Sequence, residues 1–312
     1  MGVWPVFLEL AIGDAYGAGF EYAPPEFVRR GNTLRGYARH PKHRDVLPGM
    51  YTDDTQMSLA VAEWLLGGTL TRDDLAERFV AAYRRDPRAG YASGFRSVLE
   101  RVRSGPELLD TLRPGSDKSG AAMRAGVLGL LPDIDEVRRL TTLQARITHD
   151  SPGGIAAALG AAYAVHYCRH GLGPVSGLPA WLAERVPAPA SYGRWDESWR
   201  GTVGSPGMHS VRAAVTALAR NREAGELLRD CVAFTGDVDT VATVALAAAS
   251  VSGAYARDLP EALVDGLESG AYGRAYLLGL DERLAARWGL ADTTAEAPGP
   301  EGRPISSESD RT

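Results

Sequence analysis

The sequence predicts an all-α fold. Apolar residues recur at three- and four-residue spacing along most of the 312-residue chain, whereas the alternating pattern of strands is scarce. Stretches rich in glycine and proline separate these segments, as expected of helices joined by loops. No segment repeats at a fixed period, which argues against a helical solenoid.

The predicted helices can be followed in chain order. The first spans residues 6–12, and the second follows Thr52 and stops at Gly67-Gly68. The next begin at recognisable signals: a start at Thr71, a cap at Asp133, and a proline, Pro152, inside a first turn. The remaining predicted helices are 119–131 (closed by Pro132), 210–221, 223–232, 240–256, 261–268 and 271–288.

Composition is that of a soluble globular protein, with 45% hydrophobic and 23% charged residues. The net charge of -5 gives no reason to expect nucleic acid or a membrane surface as a bulk partner. The most apolar stretch, 241–256, is interrupted by polar residues, so no membrane span is expected. Without a basic stretch leading into an apolar one at the N-terminus, we expect a cytoplasmic protein.

Composition also divides the chain. Residues 1–290 are expected to form one domain, whereas 291–312 lose their apolar residues, gain Pro, Gly, Ser and Glu, and are expected to be a disordered tail. The two cysteines, Cys168 and Cys231, lack metal or redox spacing and are expected to be buried thiols.

Two acidic clusters are the most informative feature of the sequence. Thr52-Asp53-Asp54-Thr55 and Asp237-Val238-Asp239-Thr240 each precede a long apolar run without Lys or Arg. Each alone is equally consistent with helix capping. Together, four unpaired carboxylates with neighbouring hydroxyls favour a site for divalent cations, because such hard oxygen ligands suit magnesium, manganese or calcium rather than zinc.

A third motif, residues 13–21, is rich in glycine and is expected to form a bend after the first helix. Glu21 follows that bend and is a candidate for the cation site. For Asp14, a structural role in accepting hydrogen bonds from backbone amides is the favoured interpretation.

Four motifs in order resemble those of the ADP-ribosylglycohydrolase family, over about residues 5–290. They are Gly13-Asp14-Ala15 with Glu21, Gly49-Met50-Tyr51-Thr52-Asp53-Asp54-Thr55, Thr148-His149, and Gly236-Asp237-Val238-Asp239-Thr240. A lone Asp-Asp-Thr would be weak, but four ordered motifs are specific.

The resemblance implies a compact orthogonal helical bundle with a central dimetal cleft, and an enzyme that removes ADP-ribose from an ADP-ribosylated protein or other acceptor. Two divalent cations are implied, with Mg²⁺ favoured and Mn²⁺ as the alternative. By position the implied ligands are Thr52, Asp53, Asp54, Asp237, Asp239 and Thr240. Glu21 or Asp54 is the implied general base in the attack of water on the ribose anomeric carbon.

The implied substrate-binding residues are Lys118, Ser119, Gly120 and His149. Lys118-Ser119 replace the Gly-Asn of many members. A lysine there is either a partner for the diphosphate or an exposed loop residue. His166 and His170 are four residues apart but lack a third soft ligand, so packing or solvent exposure is favoured.

A basic segment at residues 35–44 leads into the first acidic cluster. It carries three arginines, one lysine and two histidines, and either borders the active-site mouth and gathers an acidic or phosphate-bearing target, or is a solvated loop.

Three other functions remain open. An enzyme acting on isoprenoid diphosphates fits poorly, because adjacent Asp53 and Asp54 lack the usual spacing of one helical turn. A non-catalytic, crystallin-like binder of ADP-ribose would be expected to have lost ligands. Structural calcium binding lacks the EF-hand spacing.

Overall fold

Helices make up all the regular secondary structure of the residues that the structure, a computed structural model, describes (4–67 and 69–289). Within those ranges extended backbone pairs only at isolated bridges. The all-α prediction is therefore confirmed. The α-helices are α1 (Val6–Ala18), α2 (Pro25–Gly31), α3 (Asp53–Gly67), α4 (Arg72–Arg85), α5 (Ser93–Arg101), α6 (Gly105–Thr111), α7 (Gly120–Met123), α8 (Ile134–Thr148), α9 (Pro152–Arg169), α10 (Leu178–Arg185), α11 (Gly207–Arg220), α12 (Ala224–Ala233), α13 (Val238–Ser250), α14 (Glu261–Gly266) and α15 (Arg274–Trp288).

The centre of the molecule is the contact between α1 and α13, which are buried on nearly all sides. Two glycines of α1 allow it. A Cβ on Gly13 would lie 2.8 Å from the carbonyl oxygen of Ala242, and one on Gly17 would lie 2.4 Å from Cα of Asp239. The two backbones therefore touch, which aligns the end of α1 with the start of α13.

The predicted end of the first helix at residue 12 is wrong, because the helix continues to Ala18. Glycine costs a helix roughly 1 kcal/mol relative to alanine, but the close contact with α13 outweighs that cost. The glycines thus serve helix packing, and the chain turns only after Gly19.

The predicted helix at 119–131 is also wrong in part, because it divides into α7 and a 3₁₀ helix, Gly126–Leu130. Gly129 lies so close to α9 that a Cβ would be 2.2 Å from the carbonyl oxygen of Ala162.

The predicted helix starts are confirmed. The side chains of Thr71 and Asp133 accept backbone hydrogen bonds, and Pro152 stands in the first turn of α9. α13 ends at Ser250, six residues earlier than predicted.

Three further expectations concern the cysteines, membrane-spanning helices and the last residues of the sequence. Cys168 and Cys231 are buried free thiols, as predicted. None of the helices among residues 4–67 and 69–289 is long and apolar enough to cross a membrane. The predicted disordered tail, 291–312, lies outside the described residues.

Candidate active site

The two acidic clusters begin two helices that meet. Asp53 and Asp54 are the first residues of α3, and Asp237 is the N-cap of α13, followed by Asp239 in its first turn. All four side chains are buried. Glu21, on the turn after α1, joins the second cluster: one carboxylate oxygen each from Glu21, Asp237 and Asp239 lie within 4.8 Å of one another.

Asp14 fixes the first cluster from behind. Its Oδ2 accepts hydrogen bonds from the amides of Thr52 and Thr55, each 2.9 Å, and from the Thr55 hydroxyl at 2.6 Å. Its Oδ1 accepts from the Thr52 hydroxyl at 2.8 Å. The structural role predicted for Asp14 is confirmed. The Thr52 hydroxyl donates its proton to Asp14 and accepts from the Asp54 amide at 3.4 Å, so one lone pair remains for a ligand.

The residues present fit a cation site. Asp54 Oδ2 and Asp239 Oδ1 are fully buried and have no hydrogen-bond partner within the described part of the chain. Asp237 Oδ2, in contrast, accepts from the Ser210 hydroxyl at 2.7 Å. Buried carboxylate oxygens normally have hydrogen-bond partners or coordinate metals, and hard oxygens of this kind are the ligands of Mg²⁺ and Mn²⁺.

Burial and mutual repulsion strongly perturb these carboxyls. Burial, followed by the charges of Asp237 and Asp14, raises the pKa of Glu21 to about 8. Burial and neighbouring acids likewise raise the pKa of Asp53, Asp54 and Asp239 well above the ordinary range. A bound dication reverses this effect, because its charge favours the ionised carboxylates.

A cavity of about 640 Å³ opens beside the acids, a size suited to a small-molecule ligand. Ten of the sequence-predicted site residues line it, whereas Thr52 lies behind the acids on Asp14. Those ten are Glu21, Asp53, Asp54, Lys118, Ser119, Gly120, His149, Asp237, Asp239 and Thr240.

His149 is a neutral, buried group in the lining of this cavity. Burial, with the nearby charges of Arg124 and Lys118, lowers the pKa of His149 to about 3. Its Nδ1 is 2.7 Å from the Thr148 hydroxyl, and Gly120 packs so closely that a Cβ there would be 2.9 Å from Cε1. The imidazole can therefore serve as a hydrogen-bonding group but not as a cation.

Another part of the cavity lining was not predicted from the sequence. It is apolar with one cation and includes Phe95, Val98, Leu112 and Arg113, on or next to α5 and α6. Neither short helix was predicted. The amphipathic spacing of Phe95, Val98 and Leu99 was the available signal. Tyr22, half-exposed at the cavity with a left-handed φ of 47°, was also missed.

The basic segment lies beside the turn that carries Glu21. His40 Nε2 is 2.8 Å from the carbonyl oxygen of Glu21, while Arg39, Lys42 and Arg44 are exposed and do not line the cavity.

The pair His166 and His170 does not line the cavity. Their ring centroids are 4.4 Å apart, and His166 Nδ1 is hydrogen-bonded to the Leu131 carbonyl. His166 is buried in the packing of the fold, whereas His170 is exposed to solvent.

Comparisons with known proteins agree with this architecture. ADP-ribosylhydrolase ARH3 of Homo sapiens is 34% identical over 131 residues, which cover 39% of this chain and 36% of that protein. The ADP-ribosyl-[dinitrogen reductase] glycohydrolase of Rhodospirillum rubrum is 33% identical over 175 residues, 54% of this chain and 58% of that protein. The matches thus span about a third to three fifths of these relatives.

A solved structure, an ADP-ribosylglycohydrolase-related protein complex, shares the fold with a TM-score of 0.73 and 24% identity. The superposition covers 92% of this chain and 96% of that chain. The family model described as ADP-ribosylglycohydrolase matches residues 6–294. The chain belongs to the ADP-ribosylglycohydrolase family.

Proposed function

We propose that this protein is a metal-dependent hydrolase that releases ADP-ribose from a modified acceptor by cleaving an N- or O-glycosidic bond at the ribose anomeric carbon. The observation that carries the proposal is the pair of unpartnered buried oxygens, Asp54 Oδ2 and Asp239 Oδ1, at the acidic end of a ligand-sized cavity. Family membership and the two named hydrolases support it. Residues 1–290 form the catalytic domain in this proposal.

Two divalent cations, Mg²⁺ or Mn²⁺, are the proposed cofactors. The residues that would hold them are Thr52, Asp53, Asp54, Asp237, Asp239 and Thr240. When bound, such ions orient substrate oxygens, lower the pKa of a water and stabilise negative charge. Four buried carboxylates supply enough charge to offset the positive ends of the α3 and α13 dipoles.

The chain's own groups then divide the remaining tasks. Glu21 or Asp54 accepts the proton of the attacking water as general base. Glu21 is the better placed of the two for proton transfer, because its side chain is only partly buried and stands on a turn rather than in a helix. The transition state of such a reaction is oxocarbenium-like, so nearby carboxylates also stabilise the positive ribose.

Other residues of the cavity lining bind the rest of the substrate. Lys118 supplies a point charge for the diphosphate, and Ser119, Gly120 and His149 form the adjoining wall. The acceptor is an ADP-ribosylated protein or another ADP-ribosylated molecule, and ADP-ribose is the product that stays in the cavity until release.

The test is a release assay on peptides ADP-ribosylated at arginine or at serine and on an ADP-ribosylated nucleobase, with Mg²⁺ or after chelation. We expect release from at least one of them that requires Mg²⁺ and is lost in Asp53→Ala and Asp239→Ala. Asp135→Ala, which removes an exposed carboxylate from α8, is the matched control. Full activity after chelation would contradict the mechanism, and tight ADP-ribose binding without release would identify a non-catalytic binder.

A further inference from the structure

The segment 115–120, which carries three of the proposed substrate-binding residues, is held at both edges by the rest of the fold. On one edge Gly115 forms an isolated bridge with His149, and the Ser151 hydroxyl donates to the Ser116 carbonyl at 2.8 Å. On the other edge Lys118 forms a bridge with Pro206, and the Gly207 amide donates to the Asp117 carbonyl at 2.9 Å.

Asp117 differs from its neighbours in where its side chain lies. Ser116, Lys118, Ser119 and Gly120 line the cavity, whereas Asp117 does not. Its Oδ2 instead accepts a hydrogen bond from the Tyr192 hydroxyl. This contact joins the segment to a residue 75 positions further along the chain.

Tyr192 is itself held from two directions. Its ring packs on Gly153 in the first turn of α9, where a Cβ would be 2.7 Å from Cε2 of the ring. Its carbonyl oxygen accepts from Nη1 of Arg212, a buried residue of α11. The tyrosine therefore connects the substrate segment to two core helices without reaching the cavity.

We propose that Tyr192 is a positioning residue that, through Asp117, fixes the segment 115–120 so that Lys118 and Ser119 meet the substrate. This inference rests on the proposed function. Because Tyr192 touches neither the acids nor the cavity, it governs the affinity for ADP-ribose and its conjugates and leaves metal binding and the chemical step unchanged.

The experiment compares Tyr192→Phe and Asp117→Ala, which remove the same hydrogen bond from opposite ends. We expect each to raise KM and the ADP-ribose Kd about tenfold, which is within the contribution of one hydrogen bond. The double variant should show about the same tenfold loss, because coupled residues are not additive. kcat and Mn²⁺ affinity should stay at the wild-type values. Asp117→Asn keeps an oxygen acceptor for the tyrosine and should restore most of the affinity.

Tyr255→Phe is the matched control, since it removes a buried tyrosine hydroxyl that bonds the Leu218 carbonyl away from the cavity. It should leave KM unchanged, and urea unfolding of every variant checks that the fold is retained. Calorimetry with ADP-ribose separates the possible failures. If the wild-type protein binds and hydrolyses ADP-ribose conjugates but Tyr192→Phe is indistinguishable from it, the inference alone is overturned. The same holds if the losses of the two single variants add in the double variant. A wild-type protein that neither binds nor releases ADP-ribose overturns the proposed function and the inference with it.

Discussion

Gly17 of α1 lies directly against the backbone of Asp239 in α13. A Cβ on Gly17 would be 2.4 Å from Asp239 Cα and 2.7 Å from its amide nitrogen. Backbone atoms cannot give way as the end of a flexible side chain can. The position of the second acidic cluster relative to the first therefore depends on the absence of a single methyl group.

Gly17→Ala should consequently displace the start of α13 and weaken metal binding. We expect a loss of stability of about 1–3 kcal/mol, typical of overpacking in a core, and a reduced affinity for Mn²⁺ measured by electron paramagnetic resonance. Gly279→Ala is the control, because a Cβ there meets open space on α15. It should leave metal affinity unchanged. Equal Mn²⁺ affinities for the two variants would show that the close contact is unimportant to the site.

Asp54→Asn should make the metal-free protein more stable while removing its response to metal. Asp54 Oδ2 is buried without a partner, and Asp14, Asp53 and Asp237 all repel its charge. With chelator present, replacing a carboxyl whose ionised form is disfavoured by burial and repulsion should raise the free energy of unfolding. In the wild type, Mg²⁺ at a hundredfold excess over its Kd should stabilise by about 2.7 kcal/mol for each occupied site.

Urea unfolding with chelator and with Mg²⁺ measures both effects. Asp135→Asn, at an exposed position of α8, should respond to Mg²⁺ as the wild type does. The prediction would be wrong if Asp54→Asn were still stabilised by Mg²⁺ to the wild-type extent.

Asp281 of α15 should make stability depend on pH at a place far from the acids. Its carboxylate accepts from the Phe7 amide at 2.9 Å, and burial, which outweighs those hydrogen bonds, raises the pKa of Asp281 to about 8. The unfolded value is about 3.9. Between the two values the folded state holds a proton that the unfolded state has lost, so stability falls as pH rises, by at most about 1.4 kcal/mol per pH unit.

Asp281→Asn should remove that component, because an amide keeps an acceptor for Phe7 and does not ionise. The difference in unfolding free energy between variant and wild type should therefore grow in the variant's favour from pH 5 to pH 8. Glu282→Gln changes an exposed carboxylate on the same helix and should follow the wild-type curve. Parallel curves for Asp281→Asn and wild type would contradict the assignment.

The basic segment should matter for macromolecular acceptors only. Arg39 and Lys42 are exposed beside the turn that carries Glu21, but they do not line the cavity. Arg39→Gln with Lys42→Gln should raise KM for an ADP-ribosylated acidic protein and reduce its dependence on salt, while KM for a small ADP-ribosyl conjugate stays the same. Arg283→Gln with Arg287→Gln removes two exposed charges from α15 as the control. An unchanged KM on the protein substrate would leave the segment as a solvated loop.

Local sequence signals predicted the helices that carry the acids, because Asp and Thr directly before a long apolar run are typical of a helix N-terminus. They did not predict the continuation of α1 through Gly13 and Gly17, since only the distant partner α13 shows why glycines are needed there. Phe95 and Val98 were missed for a related reason: α5 is short, and nothing local indicates that it faces the acids. The link between Asp117 and Tyr192 joins residues 75 positions apart and has no local signature.

The packing of α1 against α13 has a consequence for biosynthesis. α1 leaves the ribosome long before its main packing partner, Val238–Ser250, is translated. Until α13 emerges, the nascent chain therefore exposes the face of this apolar helix that α13 covers in the folded protein. Chaperone binding to α1 in ribosome-bound intermediates, ending once α13 has emerged, is the expected pattern.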